Sequence, residues 1–150
     1  KNKLLLGQLD RKLKSFGSAA LVTPPPTGWI KGVRKSFGMS LQQLANKLSI
    51  TKQSVQELEK REKEGAITLK TLKDVANALD MRLVYGFVPK DGTLEDLIER
   101  KARELAVNIV SKTSNTMKLE DQENSQKRLK KAIEERTAII KNEMPKMLWD

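Results

Sequence analysis

Twenty residues, Ser40 to Glu59 (SLQQLANKLSITKQSVQELE), restrict what this chain can fold into more than any other stretch. Their spacing predicts two short helices joined by a tight turn. Ser40 is a good N-cap, and Leu41, Leu44, Ala45 and Leu48 then repeat at helical spacing. Ser49-Ile50-Thr51 breaks that pattern. Thr51 can cap a second helix whose Val55 and Leu58 face inward while Lys52, Gln53, Gln56 and Glu57 face out. A small residue at Ala45 lets the second helix cross the first steeply, with Leu48, Ile50, Val55 and Leu58 filling the corner. Such a corner raises the second helix off the body, where it can enter a DNA major groove.

The same residues resemble the helix-turn-helix of the phage-repressor (Xre-type) regulators. The resemblance rests on Leu44-Ala45, Ser49-Ile50-Thr51, Gln53-Ser54-Val55 and Glu59. Two departures stand out. Ser49 occupies the turn position where those regulators usually hold glycine, so a left-handed backbone there is mildly strained. Lys60-Arg61-Glu62-Lys63-Glu64 also intervenes before Gly65, which lengthens the recognition helix by about a turn. The resemblance implies a partly buried ion pair between Arg34, on the preceding helix, and Glu59. Both residues are then structural in the first instance.

Charge supports a nucleic-acid partner. The 150 residues carry a formal net charge of +10. Residues 1–26 hold five basic and one acidic side chain, residues 27–65 eight and four, and residues 66–90 four and two. Residues 91–150 hold twelve of each. All the excess positive charge therefore lies in the first ninety residues, where each cation near a phosphate releases a condensed counterion. Cysteine and histidine are absent, which removes disulfides, thiolate metal sites, the commonest general base and the usual zinc ligand. No Gly-rich phosphate loop is present, so an enzyme is not expected, and neither is a metal or cofactor. No apolar run approaches the ~18–20 residues needed to cross a bilayer, and Leu4–Leu6 is too short for a signal peptide. The first residue is Lys rather than Met, as in a segment of a longer product. The expected location is the cytoplasm of a bacterium, on the nucleoid, without membrane contact.

Along the chain, residues 3–16 form an amphipathic helix with Leu5, Leu9, Leu13 and Phe16 on one stripe. It is either an arm reaching along DNA or a partner, or a cover for the core. Residues 17–28 are a linker stiffened by Pro24-Pro25-Pro26. Residues 28–37 form the first helix of the bundle, with Trp29 packed at its start, and Gly38 stops it. Residues 68–79 form another helix, with Thr68 as N-cap and Leu69, Leu72, Val75, Ala76 and Leu79 as its stripe. Residues 82–88 are β-branched and aromatic and read as a strand. A lone strand needs a partner edge. The economical partner is a second copy, paired antiparallel through Leu83, Val84, Tyr85 and Phe87; the alternative is the stretch 20–23. Two long helices follow, from Thr93 to about Lys112 and from about Leu119 to Asn142, with Ser111–Thr116 as the loop between them. In the tail, Trp149 reads as a packed staple or as an offering to a partner.

Nearly the whole chain also resembles a narrower group of repressor-like proteins, mobile mystery protein A. The residues concerned are Gln8-Leu9-Asp10-Arg11-Lys12-Leu13, Pro25-Pro26-Thr27-Gly28-Trp29-Ile30, Gly38-Met39-Ser40, and Ile67-Thr68-Leu69-Lys70-Thr71-Leu72. Leu83-Val84-Tyr85 with Val88-Pro89, Thr116-Met117-Lys118-Leu119-Glu120-Asp121-Gln122, and Leu148-Trp149-Asp150 complete the set. That family implies a neighbouring Fic-domain protein in a toxin–antitoxin-like pair. The inhibitory motif [S/T]xxxE[G/N] known from Fic regulation is missing: Lys60 and Leu119 stand where it needs Ser or Thr before Glu64-Gly65 and Glu123-Asn124.

The expected fold is thus mainly α. Residues 1–26 are a helical arm and Pro-rich linker, and residues 27–81 a repressor-like helix-turn-helix bundle. Residues 82–150 hold one strand (about 82–88) pairing across a dimer, then two long C-terminal helices. The expected function is a homodimeric, sequence-specific repressor on a pseudo-palindromic operator in double-stranded DNA. Lys52, Gln53, Gln56 and Glu57 would meet base edges. Ser40, Gln42, Gln43, Thr51, Ser54, Lys60 and Lys63 complete the DNA-binding set, chiefly at phosphates and at the helix start. The alternative is an antitoxin that chiefly binds the Fic-domain partner through its C-terminal helices.

Overall fold

Helix starts are set by the residues that cap them. The computed structural model describes residues 2–114 and 122–150. The chain forms two compact units, Ala20–Gly86 and Lys1–Ala19 with Phe87–Asp150. In the first unit lie α2 (Trp29–Ser36), α3 (Leu41–Leu48), α4 (Lys52–Glu64) and α5 (Leu69–Ala78); in the second, α1 (Asn2–Lys14), α6 (Leu94–Ser114) and α7 (Gln122–Glu143). Ser40, Thr51 and Thr68 each accept, at 3.1 Å, the amide three residues on, which starts α3, α4 and α5.

α2 begins differently. Its N-cap is Gly28, which has no side chain to offer. The carboxylate of Glu62, near the end of α4, accepts instead from the amides of Trp29 (2.7 Å) and Ile30 (2.8 Å). A negative charge at a helix N-terminus satisfies orphan amides and complements the dipole. Gly28 is required by this contact twice over. Its φ is +90°, and a Cβ there would stand 2.8 Å from Glu62 Oε1. The turn before it is closed by Gly28 N–H to Pro25 O at 2.9 Å. The Pro25-Pro26-Thr27-Gly28-Trp29 run is therefore the entry that presents bare amides to a distant carboxylate. Trp29 lies at the start of α2 but remains half exposed rather than packed. Ile30, Leu44, Ala45, Val55, Val75 and Leu79 form the core of this unit.

The second unit is held around Ile98, Ala102, Ala106, Ile140 and Leu148, with Leu6 of α1 packed against them. α6 and α7 run antiparallel along each other, and Lys141 near the end of α7 pairs with Glu95 at the start of α6 at 3.2 Å. The small residues Ala102 and Ala106 are fully buried, as close helix approach requires. Thr93 accepts from the Asp96 amide, while Asp10 of α1 accepts from Leu94 N–H (2.7 Å) and Glu95 N–H (3.3 Å). α1 thus covers the core of this unit.

Three further expectations are corrected. Residues 82–88 form no strand, and neither do residues 20–23; Ser18–Leu21 is a short 3-10 turn instead. A β-branched sequence takes up a strand only where a pleated neighbour buries one face. Here Val84, Tyr85 and Phe87 are 66%, 69% and 85% exposed, and only Leu83 turns partly inward. In the tail, Leu148 is the buried staple and Trp149 is half exposed. α6 also runs through Ser114 rather than yielding to a loop at Ser111, while the expected start at Leu119 and the Thr116–Asp121 part of the family resemblance lie outside the described residues.

Glu62→Ala should lower the unfolding free energy by about 1–2 kcal/mol in urea titrations. Gly28→Ala should cost about 1–3 kcal/mol. In the Glu62→Ala background the Gly28→Ala cost should shrink, because the oxygen that the new methyl meets is gone.

Candidate nucleic-acid interface

α4 is held from behind by two carboxylates. Val55, Leu58, Glu59 and Glu62 recur on its inward face, with Val55 fully buried and Glu59 nearly so. Glu59 receives Arg34 of α2 as a fork: Nη2 to Oε1 at 2.8 Å, Nε to Oε1 at 3.1 Å and Nε to Oε2 at 3.3 Å. The two side chains are only 9% and 7% exposed. Arg34 Nη1 also donates to the carbonyl of Met39 at 3.0 Å, which fixes the loop entering α3. A pair so far from water contributes little net energy while intact, yet leaving either charge alone there is costly. Glu62, one turn further along α4, adds its grip on the start of α2.

The turn between α3 and α4 places Ser49 in the left-handed region, with φ 55° and ψ 42°. The left-handed conformation costs a non-glycine residue roughly 1–2 kcal/mol. It is held by Ile50 N–H to Ala45 O at 3.0 Å and by burial of Ala45 beneath the crossing helix.

The expected contact residues divide into two groups. Ser40 and Gln43 form a reciprocal capping box, each side chain accepting from the other's amide at 3.1 and 2.8 Å. Thr51 Oγ1 caps α4 and lies 2.8 Å from Ser54 Oγ, and Gln42 donates to Asn46 at 2.9 Å. These side chains first serve the helix starts and the surface of α3. Glu57 accepts from Arg61 at 3.3 Å, with both side chains about half exposed. By contrast Lys52, Gln53, Gln56, Lys60 and Lys63 are exposed and bond to no other described residue. They are the groups of α4 left available to an outside partner.

Sequence reasoning missed Glu62 and Arg61, which fell in a charged run read only as extra helix. A signal was present: Glu62 stands seven residues after Val55, on the same inward stripe. Among the described residues no cluster of acidic, His or Cys side chains is arranged to hold a metal ion. No described helix is long and apolar enough to cross a membrane.

Residues 30–85, less than half of the chain, match the family described as helix-turn-helix. They are an Xre-like helix-turn-helix domain, which suggests a DNA-binding regulator of transcription. Neither the curated proteins nor the solved structures yield a match to the chain.

Arg34→Ala or Glu59→Ala should each destabilise this unit by about 3–5 kcal/mol, read by chemical denaturation. Arg34→Lys should recover only part of that loss, because an ammonium cannot make the fork.

Proposed function

We propose that this chain is a sequence-specific transcriptional repressor that acts as a homodimer on a pseudo-palindromic operator. The observation that carries the reading is the division of α4. Its inward face is committed to Arg34 and to the amides of α2, and its outward face presents Lys52, Gln53 and Gln56 with no internal partner. Gln can bond adenine N6 and N7 together, and Lys can reach guanine O6 or N7. Lys60 and Lys63 lie further along the helix and suit phosphates, which carry position rather than sequence. Arg61 holds Glu57 and offsets its repulsion of the backbone. The unit that contains α4, residues 20–86, carries eleven basic and six acidic side chains, which favours a polyanionic partner.

The resemblance to mobile mystery protein A supports a setting in which the repressor controls its own operon, shared with a Fic-domain protein, in a bacterial cytoplasm. The chain binds rather than catalyses on this reading. A second reading, an antitoxin that sequesters the Fic-domain protein, draws on the even balance of twelve basic and twelve acidic residues in 91–150. Co-purification with that neighbour through residues 93–150 tests it, and partner binding that survives their deletion would sink it.

The DNA reading is tested by titrating the full chain against fragments of its own promoter. Gln53→Ala should cost about 1–3 kcal/mol at particular base pairs and nothing at others. Lys63→Ala should weaken every fragment alike and reduce the salt slope by about one. Equal loss on all fragments for Gln53→Ala would remove the base-reading role.

A further inference from the structure

The stretch that follows α5 borders a groove inside the first unit. Asp80 takes the left-handed backbone, with φ 57°, and the Met81 amide donates to Ala76 O at 2.8 Å. This ending turns the chain back on α5, and Met81, Arg82 and Val84 line one groove together with α2 and α5. The groove measures about 410 Å³. Sites for small molecules span about 300–1,000 Å³. Buried Ile30, Val75 and Leu79 form its floor, and exposed Trp29, Met81 and Val84 its mouth. Every lining side chain is apolar except Glu62 and Arg82. Those two differ in what they have left to offer. The two oxygens of Glu62 accept from the Trp29 and Ile30 amides, at the positive end of α2. Arg82 is exposed and bonds to no other described residue. The uncompensated charge in the groove is therefore positive.

We propose that this groove binds a small organic acid, with the apolar body of the ligand on the floor and its carboxylate on Arg82. A guanidinium meets a carboxylate as a planar fork, which fixes orientation as well as charge. An amine would meet in Arg82 a charge of its own sign. A phosphate backbone gains nothing from an apolar floor. The eleven basic and six acidic side chains of residues 20–86 also raise the local concentration of anions. Trp29, Ile30 and Glu62 are at once the cap between α2 and α4 and part of this lining, so an occupant rests against the contact that orients α4. A ligand that binds only the folded unit stabilises it by mass action. The site needs no DNA and does not rest on the repressor reading.

The probe is cyclohexylpropanoate, compared with its neutral amide and with the matching cyclohexylpropylamine. The chain has two tryptophans, so Trp149→Phe leaves Trp29 at the groove mouth as the reporter. In that full chain the acid should shift Trp29 emission saturably, with a Kd of about 1 mM for a ligand of about eleven non-hydrogen atoms. It should also raise the thermal midpoint. The amide and the amine should each bind about tenfold more weakly or worse. Arg82→Ala should bring the acid down to the affinity of the amide and leave the amide unchanged. Arg82→Glu should turn the preference toward the amine. Val33→Phe, which fills the groove, should abolish binding of all three probes. Arg82 is exposed and without a described partner, so its variants remain readable even if Val33→Phe unfolds. No saturable change and no midpoint shift up to about 10 mM acid would overturn the proposal, and so would a groove already filled by protein, which gives that same result. Equal binding of the three probes, or an acid preference that survives Arg82→Ala, would overturn it too. A chain that binds the acid but no DNA would keep the site and remove the repressor reading; a DNA-binding chain blind to the acid would do the reverse.

Discussion

The grip of α4 on α2 is the interaction on which the first unit depends. Apolar packing alone would hold the two helices together without fixing how α4 is turned about its axis. Glu59 and Glu62, one turn apart, remove that freedom. One meets a planar guanidinium as a fork, and the other meets two backbone amides that point along the axis of α2. Both partners are directional, and both lie on the same neighbouring helix. The apolar core of Leu44, Ala45 and Val55 supplies the burial. The carboxylates supply the orientation.

The same device recurs in the second unit, where Asp10 of α1 closes the start of α6. In both places the carboxylate comes from a helix distant in sequence, separated by thirty-two residues or more. A cap of this kind does two things at once. It satisfies amides that would otherwise be orphaned, and it closes a loop in the chain, so the helix start becomes a tertiary contact. Gly28 shows what such a cap asks of the sequence. The helix gives up its own capping side chain, and the glycine leaves room for the oxygen that replaces it.

Much of this was legible in the sequence, and what was missed shares a cause. Ser40, Thr51 and Thr68 are local signals, acting over three residues, and the helices they start begin where the sequence puts them. The core stripe of Leu44, Ala45, Val55 and Val75 follows from periodicity. The left-handed turn at Ser49 could be expected from its place in the pattern. Glu62 and Asp10 could not be assigned partners, because a remote cap is not written in the helix it serves: α2 lacks a capping side chain of its own, but α6 has Thr93 as well as Asp10. The strand expected over 82–88 failed for the complementary reason. Its composition suits a sheet, but the sheet has to be supplied by other residues, and no described segment supplies it.

The separation of tasks around α4 has a consequence for how such a protein can change. Every side chain that orients the helix points inward, and Lys52, Gln53 and Gln56 carry no duty toward the fold. If they read bases, as proposed, replacing them would alter what is addressed without disturbing the mount. On that reading the helix is an exchangeable bit in a fixed chuck: a few outward substitutions, each nearly neutral for stability, would suffice to change the target, while Arg34, Glu59, Glu62 and Gly28 keep the mount.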